Sequence, residues 1–287
     1  MSATVFDTTQ CHLGEGPFWH PLRDQLYWFD IVQYRLHTRE DGETRSWQFA
    51  EHVSAAGWVD DSTLLIASET RLFLFDLTTG VSEDICPLEA DDPSTRSNDG
   101  RADPWGGFWI GTMGKGAEPG AGAIYRYYRG KVQRLFHPIT ISNAICFAPD
   151  RSVAYFTDTP TGIVMRQALN ADDGWPEGDP EPWLDLRAEG LNPDGAVVDA
   201  DGNFWNAQWG ASRVACYAPD ARFLRAVEFP AAHTSCPAFG GPDLTTLYCT
   251  SARQGLSAKD LAQNPDHGRT FAAHGIAKGQ AEHRVIV

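Results

Sequence analysis

The stretch that decides the fold is residues 191–210, which reads LNPDGAVVDADGNFWNAQWG. Its first part, residues 192–195 (NPDG), is typical of a turn, because Pro restricts φ and Gly permits positive φ. Residues 196–199 then form a predicted short strand, 200–203 a hairpin turn, and 204–209 a second, aromatic strand. The stretch therefore predicts a unit made of a loop acid, a strand, a turn and an aromatic strand.

Five other segments repeat this unit, each with a turn rich in Asp, Pro or Gly before an apolar strand. The six second strands read QLYWFD, TLLIASE, FWIGTM, VAYFTDT, NFWNAQW and TLYCTS. Their spacing of roughly 40 to 50 residues is typical of propeller blades. We therefore predict an all-β fold, a six-bladed β-propeller of four-stranded antiparallel blades that forms one domain over residues 1–287. An open β-sandwich is the alternative, but nothing in a sandwich explains the repeat.

The end of the chain is less clearly patterned. From Ser257 the sequence is polar, so we expect a loop or a short helix there. A closing strand is expected at residues 282–287, which read EHRVIV. Closure of the ring would remove most exposed sheet edges.

Composition and charge limit the classes of partner. The 287 residues are 42% hydrophobic and 11% aromatic, as in a globular protein. The formal net charge of −15 argues against nucleic acid or an anionic membrane as a partner. Neither a signal-like start nor a membrane-spanning run occurs in the sequence, which favours a cytoplasmic protein. The six cysteines lack metal-type spacing and are interpreted as reduced packing residues, with a secreted disulfide protein as the alternative.

Polar residues lead into several of the predicted inner strands. The first strand of each propeller blade lines the central channel, so the residues that lead into these strands meet at one mouth. Four of the six units carry an acid, an amide or a guanidinium there: Glu15 in the first, Arg96 and Asn98 in the third, Asn143 in the fourth and Asp194 in the fifth. Residues that are distant in sequence are thereby expected to converge on one site.

Three of these residues suggest a metal site. Glu15, Asn143 and Asp194 supply two carboxylates and one amide oxygen. Hard oxygen donors suit Ca²⁺, Mg²⁺ or Mn²⁺, and Zn²⁺ is less favoured without His or Cys. Three protein ligands also leave positions open for water and substrate. Each residue taken singly is typical of a turn, but three at equivalent points of three blades predict one divalent metal ion.

Other side chains are candidates for substrate binding. Arg96, Asn98 and Glu118 combine planar donors, an amide and an acceptor, which suits a polyhydroxylated ligand. The alternatives are a solvated surface arginine and, for Glu118 in the Gly-rich loop 114–122, an exposed loop acid. The tryptophans are interpreted mostly as core residues. No nucleophile elbow and no phosphate loop occur in the sequence.

Several segments together resemble the senescence-marker-protein/regucalcin/gluconolactonase family of six-bladed propellers. They are LGEGPFWHP, RSNDGRADPWGGFWIGTMG, ISNAICFAPD, NPDGAVVDADGNFWNAQWGASRV and TSARQGL, and they span nearly the whole chain. The resemblance implies that the metal ligands are Glu15, Asn143 and Asp194, with Asp194 also the general base. It further implies the sugar contacts Arg96, Asn98 and Glu118.

Two residues depart from the pattern of that family. Ala144 follows Asn143 where the family often has Gly. Asn206 stands where a small apolar residue is usual, and we expect it to bring a polar group near the mouth. Neither departure removes a metal ligand, but the second is expected to alter specificity.

The reaction implied by the resemblance is the metal-dependent hydrolysis of a sugar lactone, the expected small-molecule partner, to the aldonic acid. The ion would polarise the carbonyl, and Asp194 would take a proton from the attacking water. A Ca²⁺-binding regulatory propeller without turnover is one alternative, and a metal-dependent esterase or phosphotriesterase is another. The sequence leaves the lactone, its ring size, the native metal and the oligomeric state open.

Overall fold

The computed structural model describes residues 3–287, and its strands form six sheets arranged as blades around a central channel. Each sheet has four antiparallel strands, so the predicted six-bladed β-propeller is confirmed. Blades one to five each use four consecutive strands. The first strands of neighbouring blades contact one another around the ring, and these inner strands line the channel.

The bounds of the strands follow the chain. Strand β1 is Thr4–Asp7. Blade one contains β2 (Gly14–His20), β3 (Gln25–Asp30), β4 (Arg35–Glu40) and β5 (Glu43–Gln48). Blade two contains β6 (Val53–Trp58), β7 (Thr63–Ser68), β8 (Arg71–Asp76) and β9 (Ser82–Pro87). Blade three contains β10 (Thr95–Ala102), β11 (Phe108–Gly114), β12 (Gly122–Tyr128) and β13 (Lys131–Ile139). Blade four contains β14 (Ser142–Phe147), β15 (Val153–Asp158), β16 (Ile163–Ala168) and β17 (Glu181–Asp185). Blade five contains β18 (Asn192–Val198), β19 (Phe204–Trp209), β20 (Arg213–Tyr217) and β21 (Phe223–Glu228). Blade six contains β22 (His233–Gly240), β23 (Thr246–Ala252) and β24 (Thr270–Ala273).

The sixth blade joins the two ends of the chain. Strand β1 is its fourth strand and pairs antiparallel with β24, with Thr4 opposite Ala272 and Val5 opposite Phe271. The prediction of a closing strand at residues 282–287 is therefore wrong, because β24 is the last strand and β1 supplies the closing edge. The sequence of β1, TVFD, is too short and too weakly alternating to stand out as a strand.

The polar segment after β23 contains a short helix, one of the two outcomes that the sequence suggested. Helix α1 spans Ala258–Gln263 and begins at a capping box in which Ser257 and Asp260 exchange hydrogen bonds. It is the only α-helix in the part of the chain that the structure describes. No helix among residues 3–287 is both long enough and apolar enough to cross a membrane.

The core lies between the blades. Neighbouring blades cover the middle strands of each sheet on both faces, which is why these strands read as short, nearly continuous apolar runs. Trp28, Trp109 and Trp205 occupy the second strands of blades one, three and five, and all three are fully buried. One apolar cluster joins Tyr27 of blade one to Phe73 of blade two. Burial of a large apolar side chain contributes about 1.5–3 kcal/mol, so packing between blades keeps the ring rigid around the channel.

Every inner strand carries a β-bulge near its start. The register shifts lie at Glu15/Phe18, Val53/Ala55, Ser97/Gly100, Asn143/Cys146, Pro193/Ala196 and Thr234/Pro237. A bulge leaves a residue out of the ladder and turns its side chain in a new direction. Residues 192–195 therefore belong to β18 and its bulge, so their prediction as a separate turn was wrong.

Residues 279–287 close the far mouth of the channel. Gln280 donates hydrogen bonds to the carbonyl oxygens of Phe147 in blade four and Val198 in blade five. Glu282 forms a largely buried ion pair with Arg101 of blade three. A cavity of only about 30 Å³ remains beside these groups. The channel is therefore open at the end where the inner strands begin and blocked at the other.

The first prediction concerns this tail. Val285 is fully buried in an apolar cluster with Leu65 and Phe108, whereas Val81 is 65% exposed. We expect Val285→Ala to lower the free energy of unfolding by about 2–3 kcal/mol, because it removes two buried methyl groups and leaves a cavity. The same change at Val81 should stay within about 0.5 kcal/mol. Denaturant unfolding measures both, and equal effects would show that the tail does not stabilise the ring.

Candidate metal and substrate site

A cavity of about 420 Å³ opens at the mouth where the inner strands begin. Its lining includes the five side chains that sequence analysis expected to converge, from four different blades. Each of them is only 3–5% exposed. The five are Glu15, Arg96, Asn98, Asn143 and Asp194. Apolar side chains complete the wall, among them Leu13, Met113, Ile141 and Trp209.

Glu118 does not join this group. It is exposed, and its carboxylate accepts a hydrogen bond from the backbone N–H of Gly116 at 3.1 Å. The carboxylate thus folds back over its own loop, and the neighbouring Ala117 lines the cavity in its place. Loop conformation decides this placement, and the sequence of a Gly-rich loop does not reveal it.

The bulges give two of the converging residues an unusual neighbour. Gly16, which follows Glu15, has a φ of 54°, and a Cβ there would collide with the carbonyl oxygen of Ser54. Ala144, which follows Asn143, has a φ of 60° and is fully buried. The left-handed region costs an ordinary residue about 1–2 kcal/mol. Ala144 therefore carries backbone strain that a Gly at this position would avoid.

Hydrogen bonds join the polar side chains of blades three and four. Arg96 donates from Nη1 to Oδ1 of Asn98 at 2.8 Å, and Asn98 donates from Nδ2 to Oδ1 of Asn143 at 3.2 Å. Asn98 also donates to the carbonyl oxygen of Ser142 at 2.9 Å. Both ends of the Asn98 amide are thus engaged. Nε and Nη2 of Arg96 have no hydrogen-bond partner among residues 3–287, so they remain available to a ligand in the cavity.

Three carboxylates are buried together in the channel. Burial raises the pKa of Glu15 and of Asp194 well above their usual values, and repulsion from neighbouring carboxylates, Asp99 among them, raises both further. Burial also raises the pKa of Asp99 to about 6 and lowers the pKa of Arg96 to about 10. Each shift reflects the penalty on a charged group away from water. The fully ionised set is therefore unfavourable unless a cation compensates it.

Asp99 was not among the site residues predicted from the sequence. Its Oδ2 accepts a hydrogen bond from the backbone N–H of Ile145 at 2.7 Å, which joins blade three to blade four two residues beyond Asn143. The signal was present in the string RSNDG, where an acid directly follows the predicted site residue Asn98. Only the structure shows that the bulge in β10 brings both side chains into the channel region.

Asn206 brings a polar group close to the mouth, but its side chain lies behind Asp194 and does not line the cavity. Its side chain is fully buried, and Nδ2 donates to the carbonyl oxygens of Asp194 at 2.9 Å and Gly195 at 3.2 Å. The amide therefore supports the bulge of β18 from the neighbouring strand β19. Asn206 therefore stabilises the backbone at Asp194 and would not contact a substrate in the cavity.

Trp209 differs from the core tryptophans because it lines the cavity. It is the last residue of β19 and is half-buried. Its indole stacks on the imidazole of His233, with ring centroids 4.2 Å apart and planes inclined by 21°. The position of an aromatic residue at the mouth end of a second strand is the sequence signal that distinguishes it from Trp205.

The donor set at the mouth fits a hard divalent cation. Glu15 and Asp194 offer carboxylate oxygens and Asn143 offers an amide oxygen, and all three residues line the same cavity. No group of three or more His, Cys, Asp or Glu side chains in the described chain could by itself hold a metal ion. The candidate ligand set therefore depends on the Asn143 amide, and its oxygen-only chemistry favours Ca²⁺, Mg²⁺ or Mn²⁺ over softer ions.

Fold and site together define a propeller protein with an oxygen-rich cavity at the open mouth of its channel. The sequence profile of the SMP-30/Gluconolactonase/LRE-like region matches residues 13–253, and the chain belongs to this family. The resemblance noted in the sequence is thus confirmed.

Individual relatives are similar over nearly their whole length. An L-arabinolactonase of Azospirillum brasilense is 38% identical, over 98% of this chain and 95% of its own. A 6-deoxy-6-sulfogluconolactonase of Pseudomonas putida is 34% identical, over 94% of each chain. The crystal structure of a calcium-binding protein, regucalcin, from Agrobacterium tumefaciens is 42% identical, with a TM-score of 0.97 over 100% of this chain and 98% of that one.

The second prediction tests the strain at Ala144. Ala→Gly at a buried strand position normally costs about 1.5 kcal/mol, from the lost methyl group and the added freedom of the unfolded chain. At Ala144 the relief of the positive φ should offset most of this loss, so Ala144→Gly should be nearly neutral. Ala67, fully buried in the regular strand β7, is the matched control and should show the full loss. Equal losses in denaturant unfolding would contradict the strain.

Proposed function

We propose that this protein hydrolyses a sugar lactone to the aldonic acid, with one divalent metal ion held by Glu15, Asn143 and Asp194, and with Asp194 as general base. Relatives named as lactonases, at 34 and 38% identity over nearly the whole chain, support the reaction class. The regucalcin relative, described as calcium-binding, supports a divalent ion. The single observation that supports a metal ion is the cluster of buried acidic side chains in the channel.

This charge is unbalanced within the protein. Glu15, Asp99 and Asp194 are buried acids that act on one another electrostatically, and Arg96 is the cation that acts on Glu15. Arg101 partly offsets the rise that burial causes in the pKa of Asp99, but it is paired with Glu282, so the Arg101–Glu282 pair adds no net charge. The ionised site therefore has two uncompensated negative charges, which one divalent cation neutralises. Buried charges of this kind are normally paired or bound to a metal.

The chemistry follows from this arrangement. A bound divalent ion would polarise the lactone carbonyl and stabilise the oxyanion that forms when water attacks. Beside a cation Asp194 would stay ionised despite its burial, and it could then accept the proton of the attacking water. The cavity lining offers no histidine for this role. An ester needs no strong acid at its leaving group, so the lack of such an acid is no objection.

The rest of the cavity suits a sugar. Nε and Nη2 of Arg96 would donate to ring hydroxyl groups, while Asn98 holds the guanidinium through Nη1. The Trp209 indole offers an apolar surface to the C–H groups of the ring. Glu118 would contact a substrate only after a change in the conformation of loop 114–122. Sugars present both hydroxyl edges and apolar faces, and this wall offers partners for both.

The two alternative functions are less well supported. Calcium binding without turnover needs the three ligands but gives no reason for the free donors of Arg96 beside them. An esterase or phosphotriesterase for apolar substrates would favour an apolar lining around the metal ligands. The cavity has an apolar wall, but five polar side chains from four blades also line it. These polar groups, with the relatives named as lactonases, favour a polyhydroxylated substrate.

The third prediction tests the function itself. Chelation should abolish hydrolysis of five- and six-membered aldonolactones in a pH-indicator assay, and Ca²⁺, Mg²⁺, Mn²⁺ or Zn²⁺ should restore it. Metal at 100 times its Kd should also stabilise the folded protein by about 2.7 kcal/mol, because it binds only the folded state. Parent protein carried through a mock treatment without chelator controls for handling losses. Full activity in a preparation verified to be metal-free would refute the metal-dependent mechanism.

The fourth prediction separates the two roles of Asp194. Asp194→Asn keeps one oxygen donor but removes the charge and the basicity, so metal should bind more weakly. At saturating metal, kcat should remain about 10²–10⁴-fold below that of the parent, as is typical for loss of a general base. Asp201→Asn, at an exposed turn of the same blade, is the control and should be neutral. Near-parental kcat at measured full occupancy would leave Asp194 as a ligand only.

A further inference from the structure

Thr159 links the two blades that supply Asn143 and Asp194. It begins a short 3-10 turn, Thr159–Thr161, directly after β15. Its hydroxyl oxygen Oγ1 lies 2.9 Å from Nδ2 of Asn143 and 2.8 Å from the carbonyl oxygen of Pro193, the residue before Asp194. One hydroxyl group thus contacts the side chain of one proposed metal ligand and the backbone carbonyl directly before another.

The direction of these hydrogen bonds follows from the chemistry of the partners. A carbonyl oxygen can only accept, so the Thr159 hydroxyl must donate its single proton to Pro193. The hydroxyl can then only accept from the Asn143 amide, which must present its NH₂ group to Thr159. The amide oxygen of Asn143 consequently faces away from Thr159.

The hydrogen bonds at the Arg96 end of the network require the same orientation of the Asn143 amide. The Arg96 guanidinium can only donate, so Asn98 must present its oxygen to Arg96 and its NH₂ group to Asn143. The atom of Asn143 that accepts the hydrogen bond from the Asn98 NH₂ group must therefore be the amide oxygen. A donor-only group at one end and an acceptor-only group at the other therefore allow one orientation of both amides.

We propose that Thr159 is a positioning residue that orients the Asn143 amide so that its oxygen, and not its NH₂ group, is presented to the divalent cation. This inference rests on the proposed function. Without the hydroxyl acceptor the amide loses one of the two contacts that distinguish its ends, and the flipped form presents an NH₂ group to the cation. Groups that orient a metal ligand in this way typically change metal affinity by roughly 10–100-fold.

The fifth prediction concerns three variants of this 3-10 turn. Thr159→Val keeps the shape of the side chain but removes the hydroxyl, and we expect its affinity for Ca²⁺ and Mn²⁺ to fall by roughly 10–100-fold. Thr159→Ser restores the hydroxyl and should bind within about threefold of the parent. Thr161→Val is the matched control, because Thr161 is exposed and its hydroxyl donates to Asp158 O and accepts from the backbone N–H of Ile163, away from both Asn143 and Pro193. Calorimetric titration of chelator-treated protein measures each affinity without a substrate.

The same substitution in a second variant distinguishes an effect on the orientation of the Asn143 amide from a general loss of stability. A carboxylate presents oxygen whichever way it turns, so in an Asn143→Asp background the loss caused by Thr159→Val should shrink to less than about threefold. The parent, both single variants and the double variant complete a double-mutant cycle, and the coupling is the measured quantity. The cycle keeps the test valid if Thr159→Val also lowers stability, since that loss is common to both backgrounds.

The possible results distinguish failure of the proposed role of Thr159 from failure of the proposed metal site. A parent protein that binds neither Ca²⁺ nor Mn²⁺ overturns the metal site itself. A parent that binds and a Thr159→Val variant that binds equally well overturns only the role of Thr159. An equal loss of affinity in the parent and Asn143→Asp backgrounds also overturns it, because Thr159 would then act through folding and not through amide orientation.

Discussion

The pairing of β1 with β24 is the constraint on which the remaining structure depends. It joins the first and last strands of the chain and converts a row of blades into a closed ring. Only in a closed ring do the inner strands of blades one, three, four and five face a common axis. The carboxylates of Glu15 and Asp194, which lie in the first and fifth blades, share one cavity for this reason. A few backbone hydrogen bonds at the sheet edge thus secure the geometry of the whole site.

Within the ring, the β-bulges of the inner strands change the direction of the side chains near the open mouth. A regular inner strand would send alternate side chains to the two faces of its blade, with none aimed along the channel. Each bulge releases one residue from this alternation, and the same point in the blade is used six times. In blades three and five the residues at the bulge include the polar Asn98, Asp99 and Asp194. In blades one and four Glu15 and Asn143 are the last paired residues before the bulge. The burial of acidic groups is unfavourable, and a bound cation would offset that cost.

The sequence predicted what depends on local pattern and missed what depends on neighbours in space. The strand QLYWFD and the polar residues Glu15, Asn143 and Asp194 were recognisable because each blade repeats the same local signals. Strand β1 was not, since four residues carry little signal before their partner is known. The roles of Thr159 and Asn206 were also invisible, because both act through carbonyl groups on an adjacent strand or blade. Glu118 depends on the path of a Gly-rich loop, which sequence does not define.

The tail, residues 279–287, affects how molecules enter and leave the channel because it crosses the far mouth. Gln280 and the pair of Glu282 with Arg101 block the far mouth, so within residues 3–287 the channel opens where the inner strands begin. Substrate and product would therefore pass through the same mouth, and a bound product would exclude the next substrate. Rapid departure of product is then as important as the chemical step. A lactone ring hydrolysed to an open chain gains flexibility, and this change favours its exit.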